Sequence, residues 1–191
     1  MIDKKYFKQL RAEYAGYDAA RRELIKTSSD ILTRAKQAIF AFHRGDAVGG
    51  LSLLREADQH IKTAARAFKT TEGLDTEGSY RAALEEYVEA RLLERFLAGK
   101  KLGAVAAPGV DEDIFVGGVL DVTGEIVRYA VAAASRRDIK EVKRAQEVVT
   151  AITGELIAMN ITGPLRPKFD QLKQNLRKIE EIVYDLSLRS A

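Results

Sequence analysis

The sequence predicts an all-α protein, a bundle of about six to seven helices in a single domain spanning residues 1–191. Only three prolines occur, and long runs of helix-forming residues lie between glycine-containing breaks. No segment alternates apolar and polar residues with an excess of β-branched side chains, so we predict no β-sheet. The length suffices for one domain of ordinary size, and a 46% hydrophobic content favours a packed core.

Two long helices are predicted at the start of the chain. The first extends over about residues 3–44, because Gly45 and Asp46 break the pattern and the basic residues just before them suit the negative end of the helix dipole. The second extends over about residues 47–69. A polar loop with two glycines follows at residues 70–78, where no helical pattern continues.

Two shorter helices follow this loop. We predict Ser79 as the N-cap of a third helix over about residues 80–99, since its hydroxyl can accept a hydrogen bond from the first turn. Residues 100–110 contain glycines and a proline and are predicted to form a loop. The fourth helix begins near the acidic residues 111–113, whose charge suits a helix N-terminus, and continues to about Ser135.

The fifth and sixth helices complete the bundle. The fifth is predicted over about residues 137–160, and the sixth starts after a break at residues 162–164 and ends near Ser190. Apolar residues of the sixth helix recur alternately every four and three positions, which predicts a seam packed inside the bundle, with a subunit interface as the second interpretation. The seam consists of Leu165, Phe169, Leu172, Leu176, Ile179, Val183 and Leu186.

The composition excludes several classes of site. The chain has no cysteine, which excludes disulfides, thiolate zinc sites and cysteine nucleophiles. Neither of its histidines, His43 and His60, has a glutamate three residues before it, as a di-iron helical bundle requires. Any metal must therefore be held mainly by oxygen, which favours Mg²⁺ or Mn²⁺. The pair Gly117 and Gly118 lies within a predicted helix and indicates close helix packing, since no glycine-rich phosphate-binding motif is present.

Nothing in the sequence indicates a membrane protein. The N-terminal residues are charged throughout, and the longest apolar run, residues 129–134, is far below the ~20 residues that a spanning helix needs. The net charge of +3 is a mild basic bias, which neither establishes nor excludes nucleic-acid binding. We expect a cytoplasmic protein.

With so few histidines, catalytic chemistry must depend on carboxylates. Glu86 and Glu89 stand three residues apart on the third predicted helix and therefore share a face. Their like charges repel unless a cation binds or solvent screens them, and the apolar residues around them predict partial burial. The alternative is an ordinary solvated acidic face, which is common at this spacing.

Further acidic residues lie on very apolar helices. Asp121 and Glu125 are four residues apart on the fourth helix, and an internal salt bridge with Arg128 nearby is the alternative to a binding role. Glu155 stands alone among apolar residues of the fifth helix, so it is either paired or binds a ligand.

Three segments resemble the translin–Trax family. Residues 163–189, GPLRPKFDQLKQNLRKIEEIVYDLSLR, are similar to the family's C-terminal signature, and residues 121–131, DVTGEIVRYAV, are similar to its DLTGELxR segment. Residues 85–90, EEYVEA, resemble the QEYVEA segment of the Trax branch. Because the spacing between the segments also fits, the resemblance covers essentially the whole chain from the first helix onward and implies a Trax-like, archaeal homo-oligomer.

The resemblance implies a set of catalytic, metal-binding acids. In the Trax branch the acids at the positions of Glu86 and Glu89 bind the catalytic metal, whereas translin itself lacks them. A further catalytic aspartate of Trax aligns with Gly154, so the neighbouring Glu155 is the candidate for the third catalytic residue. The predicted ligands of the Mg²⁺ or Mn²⁺ cofactor are Glu86, Glu89, Glu155, Asp113 and Glu125.

The resemblance also implies an assembly and a substrate. Family members are helical bundles that form hollow, roughly barrel-shaped octamers and cut RNA inside them. We therefore expect a homo-octamer whose partner is RNA, single-stranded or in short duplexes, and which also accepts single-stranded DNA. Of the RNA-contacting residues of translin, only Arg81 is carried over. Further candidates for a basic lining, with a solvated surface as the alternative, are Arg21, Arg22, Lys62 and Arg66.

Three hypotheses about function follow. The first is a metal-dependent endoribonuclease in which the acids hold Mg²⁺ or Mn²⁺ and the basic residues hold the RNA backbone. The second is a translin-like protein that binds RNA or single-stranded DNA without cleaving it. The third is a helical scaffold that assembles through the seam and binds no nucleic acid.

Overall fold

Every regular secondary-structure element in the part of the chain that the structure describes is a helix. The structure is a computed structural model and describes residues 1–68, 71 and 73–189. Short 3₁₀ turns occur at Leu74–Thr76 and Gly163–Leu165. The prediction of an all-α bundle is confirmed, while the predicted helix ends at Lys69 and Ser190 lie outside the described residues. The α-helices are α1 (Lys4–His43), α2 (Ala47–Phe68), α3 (Gly78–Leu97), α4 (Glu112–Ser135), α5 (Ile139–Ala158) and α6 (Arg166–Arg189).

Aspartate side chains cap helices α1 and α4, whose starts lie close to the predicted positions. Asp3 is the N-cap of α1, and its carboxylate accepts hydrogen bonds from the backbone N–H groups of Lys5 and Tyr6. Asp111 is the N-cap of α4, where its carboxylate accepts from the N–H of Ile114 at 2.9 Å. Each cap satisfies N–H groups that the helix itself leaves unpaired.

The predicted N-cap of α3 at Ser79 is wrong. The helix already begins at Gly78, and Glu77 occupies the cap position without a side-chain capping bond. Its backbone oxygen accepts the N–H of Tyr80 at 3.0 Å, while its carboxylate is bound by Arg21 of α1 at 2.6 Å. The long-range ion pair holds Glu77, so the helix starts two residues before the position that local capping rules favour.

Helix α5 is shorter than the predicted range 137–160. Arg137 has φ 60° and Asn160 has φ 48°, so both adopt the left-handed conformation that cannot continue a right-handed helix. Asp138 caps the helix instead, with its carboxylate accepting the N–H of Glu141 at 3.2 Å.

The helices pack in a defined order. Helix α1 packs on α2 and α3, α3 packs on α4, and α4 and α5 both pack on α6. Along α6, Leu172 and Ile179 are fully buried, Phe169 is nearly so, and the remaining seam residues are half-buried. The prediction that this seam packs inside its own bundle is therefore confirmed.

Glycines on α4 let α3 approach closely. A Cβ atom at Gly118 would lie 2.6 Å from Cγ1 of Val88 and 3.0 Å from the backbone oxygen of Glu85, both on α3. A Cβ atom at Gly117 would lie 2.5 Å from Oε2 of Glu85. The predicted role of this glycine pair in close packing is confirmed.

The start of α1 extends beyond the bundle. Every residue of the range 1–16 is exposed, including the large apolar side chains of Tyr6, Phe7, Leu10 and Tyr14. The buried face of α1 begins at Leu24. None of the described helices is both long and apolar enough to cross a lipid bilayer.

Candidate functional site

An acidic groove lies where α3, α4 and the first half of α6 meet. Its volume is about 560 Å³, and its floor includes Leu120 and Gly124 of α4. Because α4 packs against both other helices, side chains from all three face one space. We call this feature the acidic groove, and its polar lining consists of Glu86, Glu89, Asp121, Lys168, Gln171 and Asn175.

Glu89 is the most unusual member of the acidic groove. The residue is 8% exposed, and no hydrogen bond or ion pair of its carboxylate occurs among the described residues. Burial, followed by the nearby charges of Glu86, Asp121 and Glu125, raises its pKa to about 8. The pair of glutamates on α3 is thus not an ordinary solvated face, because one of them is buried and uncompensated.

Glu86 shares this environment one turn before Glu89. Burial and the charges of Asp121 and Glu125 raise its pKa, although Lys36 of α1 opposes the shift. The Lys36 ammonium lies 3.9 Å from Oε2 of Glu86, at the limit of an ion pair, and its side chain is 61% exposed. Such an exposed pair compensates a carboxylate only weakly.

Asp121 brings a third carboxylate to the acidic groove from α4. Its Oδ2 accepts a hydrogen bond from the Lys168 ammonium at 2.6 Å, and the same ammonium contacts the carboxylate of Glu85. The sequence leaves Asp121 open between a binding role and an internal salt bridge, and Asp121 is not among the predicted metal ligands. Its spacing of four residues from Glu125 was the signal that both acids share a face.

Glu125 lies one turn after Asp121 on α4, and its carboxylate has two partners. His43 of α1 hydrogen-bonds Oε2 of Glu125, and Arg128 lies 3.4 Å from the same oxygen. Burial raises the pKa of Glu125, but the hydrogen bond and charge of His43, together with Arg128, outweigh it, so the pKa falls below its usual value. The predicted salt bridge within α4 is therefore present, between Glu125 and Arg128.

Amide side chains of α6 form the opposite wall. The Asn175 amide donates to Oγ1 of Thr123 at 2.9 Å, and the Gln171 amide donates to Oδ1 of Asn175 at 3.2 Å. Together with Lys168 these residues follow positions i, i+3 and i+7 and so share one face of α6. The sequence pattern of α6 predicts its buried apolar seam but gives no signal for a functional role of this polar face.

The structure does not bring Glu155 or Asp113 to the acidic groove. Glu155 is exposed and borders a different cavity of about 680 Å³, whose lining is mainly apolar and includes Phe115 and Val119. Asp113 is exposed in the first turn of α4, roughly 12 Å along the helix axis from Asp121 at ~1.5 Å per residue. Asp121 lines the groove, and the two predicted ligands Glu155 and Asp113 do not.

Most of the predicted basic residues are engaged in ion pairs within the chain. Arg81 binds Asp111 at 2.6 Å, which closes α3 against the start of α4. The guanidinium groups of Arg21 and Arg22 lie 2.6 Å from carboxylates of Glu77 and Asp18, respectively. The other two predicted residues, Lys62 and Arg66, lie on α2 and have exposed side chains.

The donor set of the acidic groove suits a hard divalent cation. Carboxylate oxygens are the ligands that Mg²⁺ and Mn²⁺ prefer, and those of Glu86 and Glu89 lack a close counter-charge. Within residues 1–68, 71 and 73–189, no three or more His, Cys, Asp or Glu side chains form a group that could hold a metal ion in its present arrangement. The oxygen ligands of the groove therefore fit Mg²⁺ or Mn²⁺, but they are not arranged around a common point as in a preformed metal site.

Comparison with protein families and curated proteins gives consistent matches. The model of the Translin family matches residues 19–190. Translin-associated protein X from Rattus norvegicus is 24% identical, with 97% of this chain and 78% of the relative covered. The Translin-associated protein X homolog of Schizosaccharomyces pombe is also 24% identical, with 90% and 82% covered. Translin from Gallus gallus is 32% identical, but only over 81 residues and 42% of this chain.

Solved structures have the same helical arrangement. The crystal structure of apo-NeC3PO superposes with a TM-score of 0.85 at 21% identity, covering 97% of this chain and 98% of the other. The structure of an AfC3PO–duplex RNA complex superposes with a TM-score of 0.85 at 20% identity, covering 96% and 97%. At this level of identity the likeness shows a common fold.

Proposed function

The chain belongs to the Translin family, and we propose that it is a divalent-metal-dependent endoribonuclease whose reaction takes place at the acidic groove. The observation that carries the proposal is Glu89, a buried carboxylate without a partner among the described residues, surrounded by other acids. Such an arrangement costs stability unless a cation occupies the space between the acids. A protein that only binds RNA has no use for uncompensated carboxylates where phosphates approach.

Four carboxylates are proposed to hold the cation. Glu86, Glu89 and Asp121 line the acidic groove, and Glu125 is close enough to raise the pKa of Glu89. Bound Mg²⁺ or Mn²⁺ would supply an activated water and neutralise charge on the scissile phosphate. His43 fixes the orientation of Glu125 through its hydrogen bond, which is the supporting role that neighbours of metal ligands commonly have.

RNA binding is supported by relatives and by the groove itself. A solved structure with this fold contains duplex RNA bound to AfC3PO, and the curated relatives include translins and Translin-associated proteins X. In this chain the amides of Gln171 and Asn175 line the groove and can donate to ribose or phosphate oxygens. Lys62 and Arg66 are free of described ion pairs and can contact the RNA backbone, whereas Arg21, Arg22 and Arg81 would first have to leave their carboxylates.

We further propose that the active form is a hollow homo-oligomer, an octamer, with RNA inside. The apolar residues Tyr6, Phe7 and Leu10 on the exposed start of α1 support association with another chain. Short RNA, single-stranded or duplex, is the proposed substrate, and single-stranded DNA a further ligand, because backbone contacts carry most of the affinity.

The test is cleavage of a labelled RNA in Mn²⁺ and in EDTA. We expect wild-type protein to cleave only with Mn²⁺, and Glu89→Gln to lose at least about 100-fold in rate, because a neutral amide is a poor ligand for a hard cation. Glu181→Gln, a change at an exposed position of α6, is the matched control and should cleave like the wild type. Undiminished cleavage by Glu89→Gln would show that the proposed site is wrong.

A second candidate function is RNA binding without catalysis. One observation favours it, namely that no group of three or more potential ligands is preassembled for a metal in the described part of the chain. Fluorescence anisotropy in the same two buffers decides between the candidates. Equal binding of RNA in EDTA and in Mn²⁺, with no cleavage in either, would support the non-catalytic function.

A further inference from the structure

The acidic groove contains a cation supplied by the protein itself. Among the described residues that line the groove, Lys168 alone is positively charged. Its ammonium lies 2.6 Å from Oδ2 of Asp121 on α4 and also contacts the carboxylate of Glu85 on α3. The lysine side chain is 35% exposed, so one partly buried ammonium joins three helices at the wall of the groove.

The position of Lys168 in α6 is unfavourable for the helix alone. It lies in the first turn, where the positive end of the helix dipole repels a cation. Arg166 in the same turn pairs with Asp170 of its own helix at 3.2 Å, whereas the two carboxylates that Lys168 contacts, those of Glu85 and Asp121, lie on other helices. The carboxylates of Glu85 on α3 and Asp121 on α4 therefore stabilise a positive charge that the dipole of α6 disfavours.

Glu85 gives the ammonium a second acceptor outside the groove. Its carboxylate does not line the groove but lies against α4 at Gly117, where a Cβ atom would come within 2.5 Å of Oε2. The glycine leaves the room in which Glu85 reaches Lys168. As a result, Lys168 retains an acceptor even if Asp121 turns toward another partner.

We propose that Lys168 is a positioning residue that holds Asp121 in the metal-free protein and competes with the divalent cation for this carboxylate. The inference rests on the proposed function, because it concerns the same cation. Three carboxylates line the groove. Asp121 has the Lys168 ammonium at 2.6 Å, whereas Glu86 has the exposed Lys36 at 3.9 Å and Glu89 has no ion pair among the described residues. Glu85 would remain the acceptor of the Lys168 ammonium when Asp121 serves as a ligand of the divalent cation, so neither positive charge would be left without a carboxylate.

The test measures Mn²⁺ binding by isothermal titration calorimetry, without RNA. We expect Lys168→Met to bind Mn²⁺ about tenfold more tightly than the wild type, since close charge pairs couple by at least ~1.5 kcal/mol and the competitor is gone. Thermal unfolding in EDTA should begin at a lower temperature in this variant, and Mn²⁺ should raise it more than in the wild type. An equal or weaker Mn²⁺ affinity would overturn the proposal, because a merely structural lysine would leave Asp121 misplaced when removed.

Two further variants complete the experiment. Lys173→Met removes another lysine of α6, which pairs with Asp170 at 3.1 Å, and should bind Mn²⁺ like the wild type. If Lys168→Met does not fold, the Mn²⁺ affinity of Lys168→Arg tests the proposal instead. A guanidinium can bind a carboxylate with two hydrogen bonds, so this variant should hold Asp121 more firmly and bind Mn²⁺ severalfold more weakly. An unchanged affinity in Lys168→Arg would then overturn the proposal.

The same titrations separate this inference from the proposed function. If Lys168→Met binds Mn²⁺ more tightly but neither it nor the wild type cleaves RNA, the inference holds and the nuclease function is wrong. If RNA cleavage depends on Mn²⁺ and Glu89 but Mn²⁺ affinity is insensitive to Lys168, the nuclease function holds and the inference is wrong. Absence of Mn²⁺ binding in all variants overturns both.

Discussion

The imidazole of His43, in the last turn of α1, hydrogen-bonds the carboxylate of Glu125 on α4, 82 residues later in the chain. The His43 side chain is 9% exposed and that of Glu125 is 23% exposed, so the contact is largely shielded from water. It connects the end of α1 to a carboxylate that lies beside the acidic groove and raises the pKa of Glu89.

Replacement of His43 should therefore destabilise the protein. We expect His43→Ala to lose about 1–3 kcal/mol of unfolding free energy at neutral pH, since a buried hydrogen bond to a charged group is lost. The pKa of Glu125 is lowered in the folded protein, so its contribution is present at neutral pH and disappears as the pH falls through the folded-state value. Urea denaturation at pH 7 and roughly pH 4 measures this, with His60→Ala as the control. Unchanged stability at pH 7 would contradict the role of the contact.

Glu89 should make the metal-free protein less stable at high pH. Its folded-state pKa of about 8 lies above the ordinary value of 4.5, so the folded protein binds this proton more tightly than the unfolded chain does. Stability then falls as the pH rises from about 4.5 to about 8 and stays reduced above that range. Glu89→Gln removes the buried negative charge that costs stability at high pH. We expect this variant to be more stable than the wild type at pH 9 by on the order of 2 kcal/mol or more, since one pKa unit corresponds to ~1.4 kcal/mol.

Denaturation in EDTA at pH 5 and pH 9 checks this prediction. The two proteins should differ little at pH 5, where Glu89 is protonated in the folded state. Glu181→Gln, at an exposed position, should follow the wild type at both values. A gain of equal size at pH 5 and pH 9 would show that the effect is not electrostatic.

Two glycine-to-alanine changes should have opposite effects. Gly118→Ala places a Cβ atom 2.6 Å from Val88 and should cost about 1–3 kcal/mol, because α3 and α4 must separate. Gly154→Ala meets nothing within 4 Å on the exposed face of α5 and should stabilise the helix by about 0.5–1 kcal/mol. Thermal melts of both variants suffice, and equal effects would contradict the close approach at Gly118.

Asp121 and Glu155 should differ in their importance for RNA cleavage. We expect Asp121→Asn to reduce the Mn²⁺-dependent rate by about 100-fold, since it removes a carboxylate of the acidic groove. Glu155→Gln should leave the rate near that of the wild type, because Glu155 borders the apolar cavity instead. Single-turnover assays compare the two, and the reverse order of effects would move the site to α5.

Local patterns predicted the helices well. The acidic N-cap at Asp111 and the spacing of the seam around Leu172 depend on neighbouring residues alone, and both agree with the structure. The start of α3 did not follow from local rules, because Arg21 of another helix holds Glu77. Similarly, the local sequence predicts that α5 starts at about Arg137, but the left-handed backbone conformation of this residue excludes it from the helix.

The acidic groove was predicted only in part. Glu86 and Glu89 share a face of α3 whatever the packing, and the resemblance of the segment EEYVEA to the Trax branch singled them out as metal-binding acids. Whether Asp121 or Glu155 faces the same space depends on how α4 and α5 are rotated about their axes, which periodicity does not determine. The pairing of Lys168 with Asp121 joins residues 47 apart and results from tertiary packing.

The exposed first turns of α1 have a consequence for amide hydrogen exchange. Residues 4–16 gain no burial from their own chain, so only the backbone hydrogen bonds of α1 hold this end of the helix, and unpacked helix ends open readily. The backbone amides of this segment should therefore exchange with deuterium within the dead time of the measurement while the chain is monomeric. Slow exchange there, lost again on dilution, would directly report that a neighbouring subunit covers the protruding end of the helix.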